Sequence, residues 1–87
     1  MDEAVKKIVI TTYDKKAHRY GELYCFNSKE EAIRAFGDGI SQSGSQMNRH
    51  PEDYQLVHLA DFDFVHGVVV GSSERVVLAD GFDFRKE

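Results

Sequence analysis

The residues of this chain that could do chemistry fall into three groups. His58, Asp61, Asp63 and His66 lie within nine residues, and mixed imidazole and carboxylate ligands can hold a divalent transition metal. In an extended segment, however, His58 shares a face with even-numbered positions and Asp61 and Asp63 with odd ones, so the set converges only where a turn folds it together. No metal is expected. Cys25 has four histidines to draw on as a base. Flanked by Tyr24 and Phe26 in a short apolar stretch, it reads instead as a small core residue. No G-x-x-x-x-G-K-[ST], G-x-G-x-x-G, G-x-S-x-G or H-E-x-x-H occurs, so no catalytic residue, cofactor or enzyme activity is expected.

The third group concerns nucleic acid. Single-strand binding combines cations for the backbone with exposed aromatics on which bases stack. Lys6, Lys7, Lys15, Lys16, His18 and Arg19 sit on or beside one predicted hairpin with Tyr13, Tyr20 and Tyr24 interleaved, and Arg49 and His50 could join them. A solvated hairpin with ordinary strand tyrosines accounts for the same residues. Asp61, Asp63, Asp80 and Asp83 would repel DNA unless they face elsewhere. Phe62, Phe64, Phe82 and Phe84 are the alternative: anchors of a protein interface.

The elements that must position these groups can be read from the pattern. Lys7-Ile8-Val9-Ile10-Thr11-Thr12-Tyr13 is rich in β-branched residues and runs into a polar turn, and Glu22-Leu23-Tyr24-Cys25-Phe26 can pair back on it. Ser28-Lys29-Glu30-Glu31 fits a capping box. The helix it starts carries an apolar stripe at Ala32, Ile33, Phe36 and Ile40, is weakened by Gly37 and Gly39, and should fray near Ile40 or Ser41. Gln42-Ser43-Gly44-Ser45-Gln46 suits an exposed, mobile loop, and Pro51 biases His50 away from helix. Three strands follow, over residues 54–60, 68–70 and 75–79, with Gly71-Ser72-Ser73 as a turn between the last two. Val57 to Phe64 is echoed by Val76 to Phe84 with one inserted glycine, two copies being too few for a stacked repeat. The expected fold is α+β, an antiparallel sheet of about five strands in the order β-β-α-β-β-β with one helix packed on one face.

Eighty-seven residues form one domain. A single cysteine excludes a disulfide framework and a four-cysteine zinc site, which suits a reducing, cytoplasmic setting. No apolar run approaches membrane-spanning length, and Met1-Asp2-Glu3-Ala4-Val5-Lys6-Lys7 lacks the order of a signal peptide, so neither export nor a membrane is expected. Residues 1–50 carry eight basic and seven acidic side chains, net +1, whereas residues 51–87 carry three and eight, net −5. A strongly basic footprint for nucleic acid is therefore missing. A core this small offsets the ordering entropy only narrowly, which favours a homo-oligomer.

Three stretches together resemble a known family: Val9-Ile10-Thr11-Thr12-Tyr13-Asp14-Lys15-Lys16-Ala17, Glu31-Ala32-Ile33-Arg34-Ala35-Phe36, and His50-Pro51-Glu52-Asp53-Tyr54-Gln55-Leu56-Val57-His58-Leu59-Ala60-Asp61-Phe62-Asp63. In order and spacing they resemble the small nonstructural protein of gokushovirus-type microviruses, single-stranded DNA phages, commonly labelled DNA-binding. The resemblance covers residues 8 to about 63, and beyond Asp63 the chain departs into valine-rich strands. It implies an accessory protein made in the cytoplasm of the infected bacterium, acting in single-stranded genome synthesis or packaging. Its partners would be single-stranded DNA or phage replication and capsid proteins.

Overall fold

The computed structural model describes residues 6–84. Its strands are β1 (Lys6–Asp14), β2 (Arg19–Tyr20), β3 (Tyr24–Phe26), β4 (Tyr54–Asp63) and β5 (Val68–Asp80), with helices α1 (Lys29–Ser41) and α2 (Gln46–Arg49) between β3 and β4. All pairings are antiparallel. β2 and β3 lie along one edge of β1, β4 along the other, and β5 beyond β4. β1 and β4 are central, which suits their β-branched and aliphatic runs. Val9, Ile10 and Thr11 are buried in succession, so β1 is covered on both faces.

Register assigns the faces, because directly opposed residues point the same way. Ile10, His58, Thr12 and Leu56 face the helix, and Val9, Ala60, Thr11 and Val57 face away. Thr11 and Val57 are fully buried there, at 0% exposure, because the sheet curls over its second face. The helix begins as expected: Ser28 Oγ accepts from the Glu31 N–H at 3.2 Å, and the Asn27 N–H donates to Glu31 Oε1 at 3.3 Å. Ala32, Phe36 and Ile40 are its buried stripe. They pack on Ile10 and Leu56.

The expected order of elements differs from the observed β-β-β-α-α-β-β in three places. The return strand of the first hairpin is split, since Tyr20 pairs with Tyr13 and Tyr24 with Ile10, leaving three residues opposite two. Gly71-Ser72-Ser73 does not reverse the chain. Ala60 pairs with Gly71 and His58 with Val76, so two steps on β4 face five on β5, and the extra residues form a wide bulge within one strand. The expected mobile loop is tied down. Ser45 caps α2 by accepting from the Asn48 N–H at 2.9 Å, and the Asn48 amide donates back to the Ile40 carbonyl at 2.7 Å. Cys25 is also corrected: it is exposed, because β3 is an edge strand and Cys25 lies opposite Val9 on the face away from the helix.

Both long hairpins close with the same loop chemistry. Asp14 Oδ1 accepts from the Lys16 and Ala17 N–H groups, its carbonyl accepts from His18, and His18 adopts φ +60°. Asp63 Oδ1 likewise accepts from Val65 and His66, its carbonyl accepts from Gly67, and Gly67 adopts φ +69°. The echoed segments are neighbours, with Val57 opposite Val77. The inserted Gly81 has a packing cause, since a Cβ there would run into the Pro51 carbonyl oxygen. Among the described residues no helix is long and apolar enough to cross a membrane.

Candidate nucleic-acid interface

The cross-strand pairing of Tyr13 with Tyr20 brings their rings to 4.6 Å between centroids, tilted by 41°. The β5 bulge then carries Arg75 across the sheet, with its guanidinium 5.2 Å from the Tyr13 ring and 5.8 Å from that of Tyr20. This places a cation on two π faces. Sequence reading missed Arg75, and only its position beside the Gly71-Ser72-Ser73 irregularity hinted that it would leave the strand line.

Beside this cluster Lys15 Nζ meets Asp80 Oδ2 at 3.3 Å, and the Gln55 amide donates to the same oxygen at 3.4 Å. Partial burial works to raise the Asp80 pKa, but hydrogen bonds from the Phe82 N–H, Gln55 and Lys15, with the Lys15 charge, together hold it below the usual carboxylate value. Lys15 is thereby largely committed to Asp80. The loop leaves Lys16, His18 and Arg19 exposed next to Tyr20, itself 43% exposed. One end of the sheet therefore offers two aromatic rings, a stacked guanidinium and a fringe of cations.

The remaining candidates do not join them. Lys6 and Lys7 begin β1, opposite Asp63 and Phe62, about 26 Å from Asp14 along an eight-step strand. Lys7 Nζ sits 5.6 Å from the Phe64 ring. Tyr24, opposite Ile10, is on the helix face and not with Tyr13. Arg49 lines a cavity of about 410 Å³ with Ile40, Pro51, Glu52 and Phe84 on the helical side. Of the phenylalanines, Phe62 is half-buried opposite Val69, while Phe64 and Phe82 are exposed. Phe84 is partly buried against the core: it packs edge-on against Phe36 at 5.6 Å and lies against Gly37.

The four residues weighed as metal ligands, His58, Asp61, Asp63 and His66, separate into two pairs. His58 Nε2–H donates to Asp61 Oδ1 at 2.9 Å and to the Ala60 carbonyl at 3.0 Å, while His66 Nδ1–H donates to Asp63 Oδ2 at 2.9 Å. The parity argument fails at Leu59, which is unpaired between the Ala60 and His58 registers, so His58 and Asp61 share a face. Bonds from the His66 side chain and N–H hold the Asp63 pKa below its usual value. A different trio converges instead: His50, Glu52 and Asp53 bring one potential ligand atom each within 4.8 Å of the others. Next to it, burial, the Asp14 charge, the hydrogen bond to Asp14 and the Asp53 charge raise the Tyr54 pKa.

Comparison with known proteins adds to this geometry. The family described as Phage ORF5 protein matches residues 7–84. Protein ORF5 of Chlamydia phage 1 is 44% identical over 55 residues, which cover 59% of this chain and 57% of that protein. The chain thus spans little more than half the length of that relative. No solved structure matches. The family match continues past Asp63 through β5 to Phe84, so the valine-rich strands belong to the family pattern and do not depart from it.

Proposed function

The chain belongs to the Phage ORF5 protein family, that of gokushovirus-type microviruses, and from that premise we propose that it binds single-stranded DNA through the Tyr13–Tyr20–Arg75 cluster. The observation that carries this reading is the aromatic pair with its stacked guanidinium, bordered by Lys16, His18 and Arg19. Bases stack on exposed tyrosine rings without sequence preference, and an arginine plane adds to the platform. Lys16, Arg19 and Arg75 then neutralise phosphates. The protein works by binding and without catalysis, inside the infected bacterium, in synthesis or packaging of the genome.

Substitution separates this site from general charge. Tyr20→Ala and Arg75→Ala should weaken binding to a labelled single-stranded oligonucleotide, while Lys6→Ala, at the far end of β1, leaves it nearly unchanged. Equal losses from all three would contradict a localised site. A second reading, an adaptor for phage replication or capsid proteins, is favoured by the exposed Phe64 and Val65 at the β4–β5 hairpin tip. It predicts that Phe64→Ser abolishes capture of such a partner and spares DNA binding.

A further inference from the structure

We propose that His50, Glu52 and Asp53 form a binding site for one divalent transition-metal ion such as zinc. Each residue offers one ligand atom, and the three atoms lie within 4.8 Å of one another. Ligands on a tetrahedral ion stand about 3.4 Å apart when each is about 2.1 Å from the metal, so side-chain rotation is enough to close the set. The backbone explains the convergence. Pro51–Asp53 is a single 3-10 turn with His50 at its N-cap, and residues three apart in such a turn stand on one side. Three hydrogen bonds fix it: the His50 N–H donates to the Gln46 carbonyl at 3.1 Å, the Asp53 N–H to the His50 carbonyl at 3.0 Å, and the Lys15 N–H to the Asp53 carbonyl at 2.7 Å. Pro51 is buried beneath the turn.

Charge and donor chemistry identify the occupant. Together with Asp14, Lys16 and Tyr54, the trio lines a cavity of about 420 Å³, so three carboxylates and one lysine border the same space. Among the described residues no ion pair reaches Glu52 or Asp53, because Lys15 is paired with Asp80 and the two histidine pairs hold Asp61 and Asp63. Asp14 is already engaged: its Oδ1 accepts from the Lys16 and Ala17 N–H groups, and the Tyr54 hydroxyl bonds to its carboxylate. It adds negative charge beside the trio without serving as a ligand. Carboxylates alone would suit calcium or magnesium, whereas an imidazole in the set selects zinc, iron or nickel. Three protein ligands leave the fourth position of a tetrahedral ion to water. His50 is exposed, which gives the ion a path in. The bound ion ties the end of α2 to the start of β4, and its ligands are none of the DNA-contacting residues, so the assignment rests on no part of the DNA reading.

The test uses the untagged full chain in a Cys25→Ser background, because Cys25 is exposed and a thiolate would compete for zinc. Calorimetric titration with zinc chloride should show saturable binding of one ion, and zinc should shift the His50 ring signals in the magnetic resonance spectrum. His50→Ala and Glu52→Gln should each weaken binding by about 10-fold or more with unchanged circular dichroism, while His66→Ala leaves it nearly unchanged. Absence of saturable zinc binding overturns the proposal. So does zinc binding that persists in His50→Ala or in Glu52→Gln, or that is lost in His66→Ala, which would place the ion at Asp63. Should a variant lose the parent's fold, the ring signals of the unsubstituted site decide: zinc that moves His18, His58 or His66 and spares His50 overturns the assignment. No nucleic acid is present, so this outcome stays separate from that of the DNA site.

Discussion

Arg75 and Asp80 organise the candidate site from the acidic half of the chain. Removing Tyr20 takes away a stacking surface worth about 1–3 kcal/mol per base, so Tyr20→Ala should lower single-strand affinity by about 5-fold to 150-fold in an anisotropy titration. Asp80 carries a pH signature. Its carboxyl is held below the ordinary value of 3.8, so its contribution to stability is present above that value and is lost as pH falls through the folded-state value. Because the Lys15–Asp80 pair is partly exposed, that contribution stays under about 1 kcal/mol. Asp80→Asn should therefore unfold more easily at neutral pH and converge with the parent in acid, as read by denaturant midpoints. Lys16, Arg19, Tyr13 and Tyr20 were legible as a group because local sequence placed them on one hairpin. Arg75 was not, since its approach depends on a bulge where two steps of β4 face five of β5, a long-range register that no local pattern encodes.

At the scale of elements, the capped helix is the part that local chemistry determines most completely. Ser28→Ala removes the bond to the Glu31 N–H and should cost about 1 kcal/mol in chemical denaturation. Phe36, buried and edge-on to Phe84, should cost about 3–5 kcal/mol as Phe36→Ala. The β4–β5 hairpin needs its left-handed residue, so Gly67→Ala should destabilise by about 1–2 kcal/mol. β1, α1 and the start of β4 follow from periodicity and the capping signal. Reading Gly71-Ser72-Ser73 as a turn fails because the β4 partner holds the strand direction and the extra residues bulge out. Glu22 and Leu23, expected in the return strand, fall instead in the break between β2 and β3. Phe84 looked like a surface anchor because its packing partner Phe36 is distant in sequence.

The whole molecule is elongated, 43 × 23 × 17 Å. The aromatic cluster sits at the Asp14 end of β1 and the exposed valines sit at the Lys6 end. Net charge of −4 describes the whole surface poorly, because Lys15 offsets Asp80 and histidines bond Asp61 and Asp63. The basic loop beside Tyr20 thus stands apart from Asp61 and Asp63, which lie toward the Lys6 end of β1, a separation that composition could not reveal. About three phosphates can be neutralised there, giving a single-strand salt slope of roughly −2. The most direct measurement is fluorescence anisotropy of a labelled single-stranded oligonucleotide with the pure protein at about 50 and about 200 mM salt. Saturable binding that weakens by roughly 15-fold between the two, and that is weakened further by Tyr20→Ala and by Arg75→Ala, is the expected result. Absence of binding at the lower salt, or binding indifferent to both substitutions, would contradict the account.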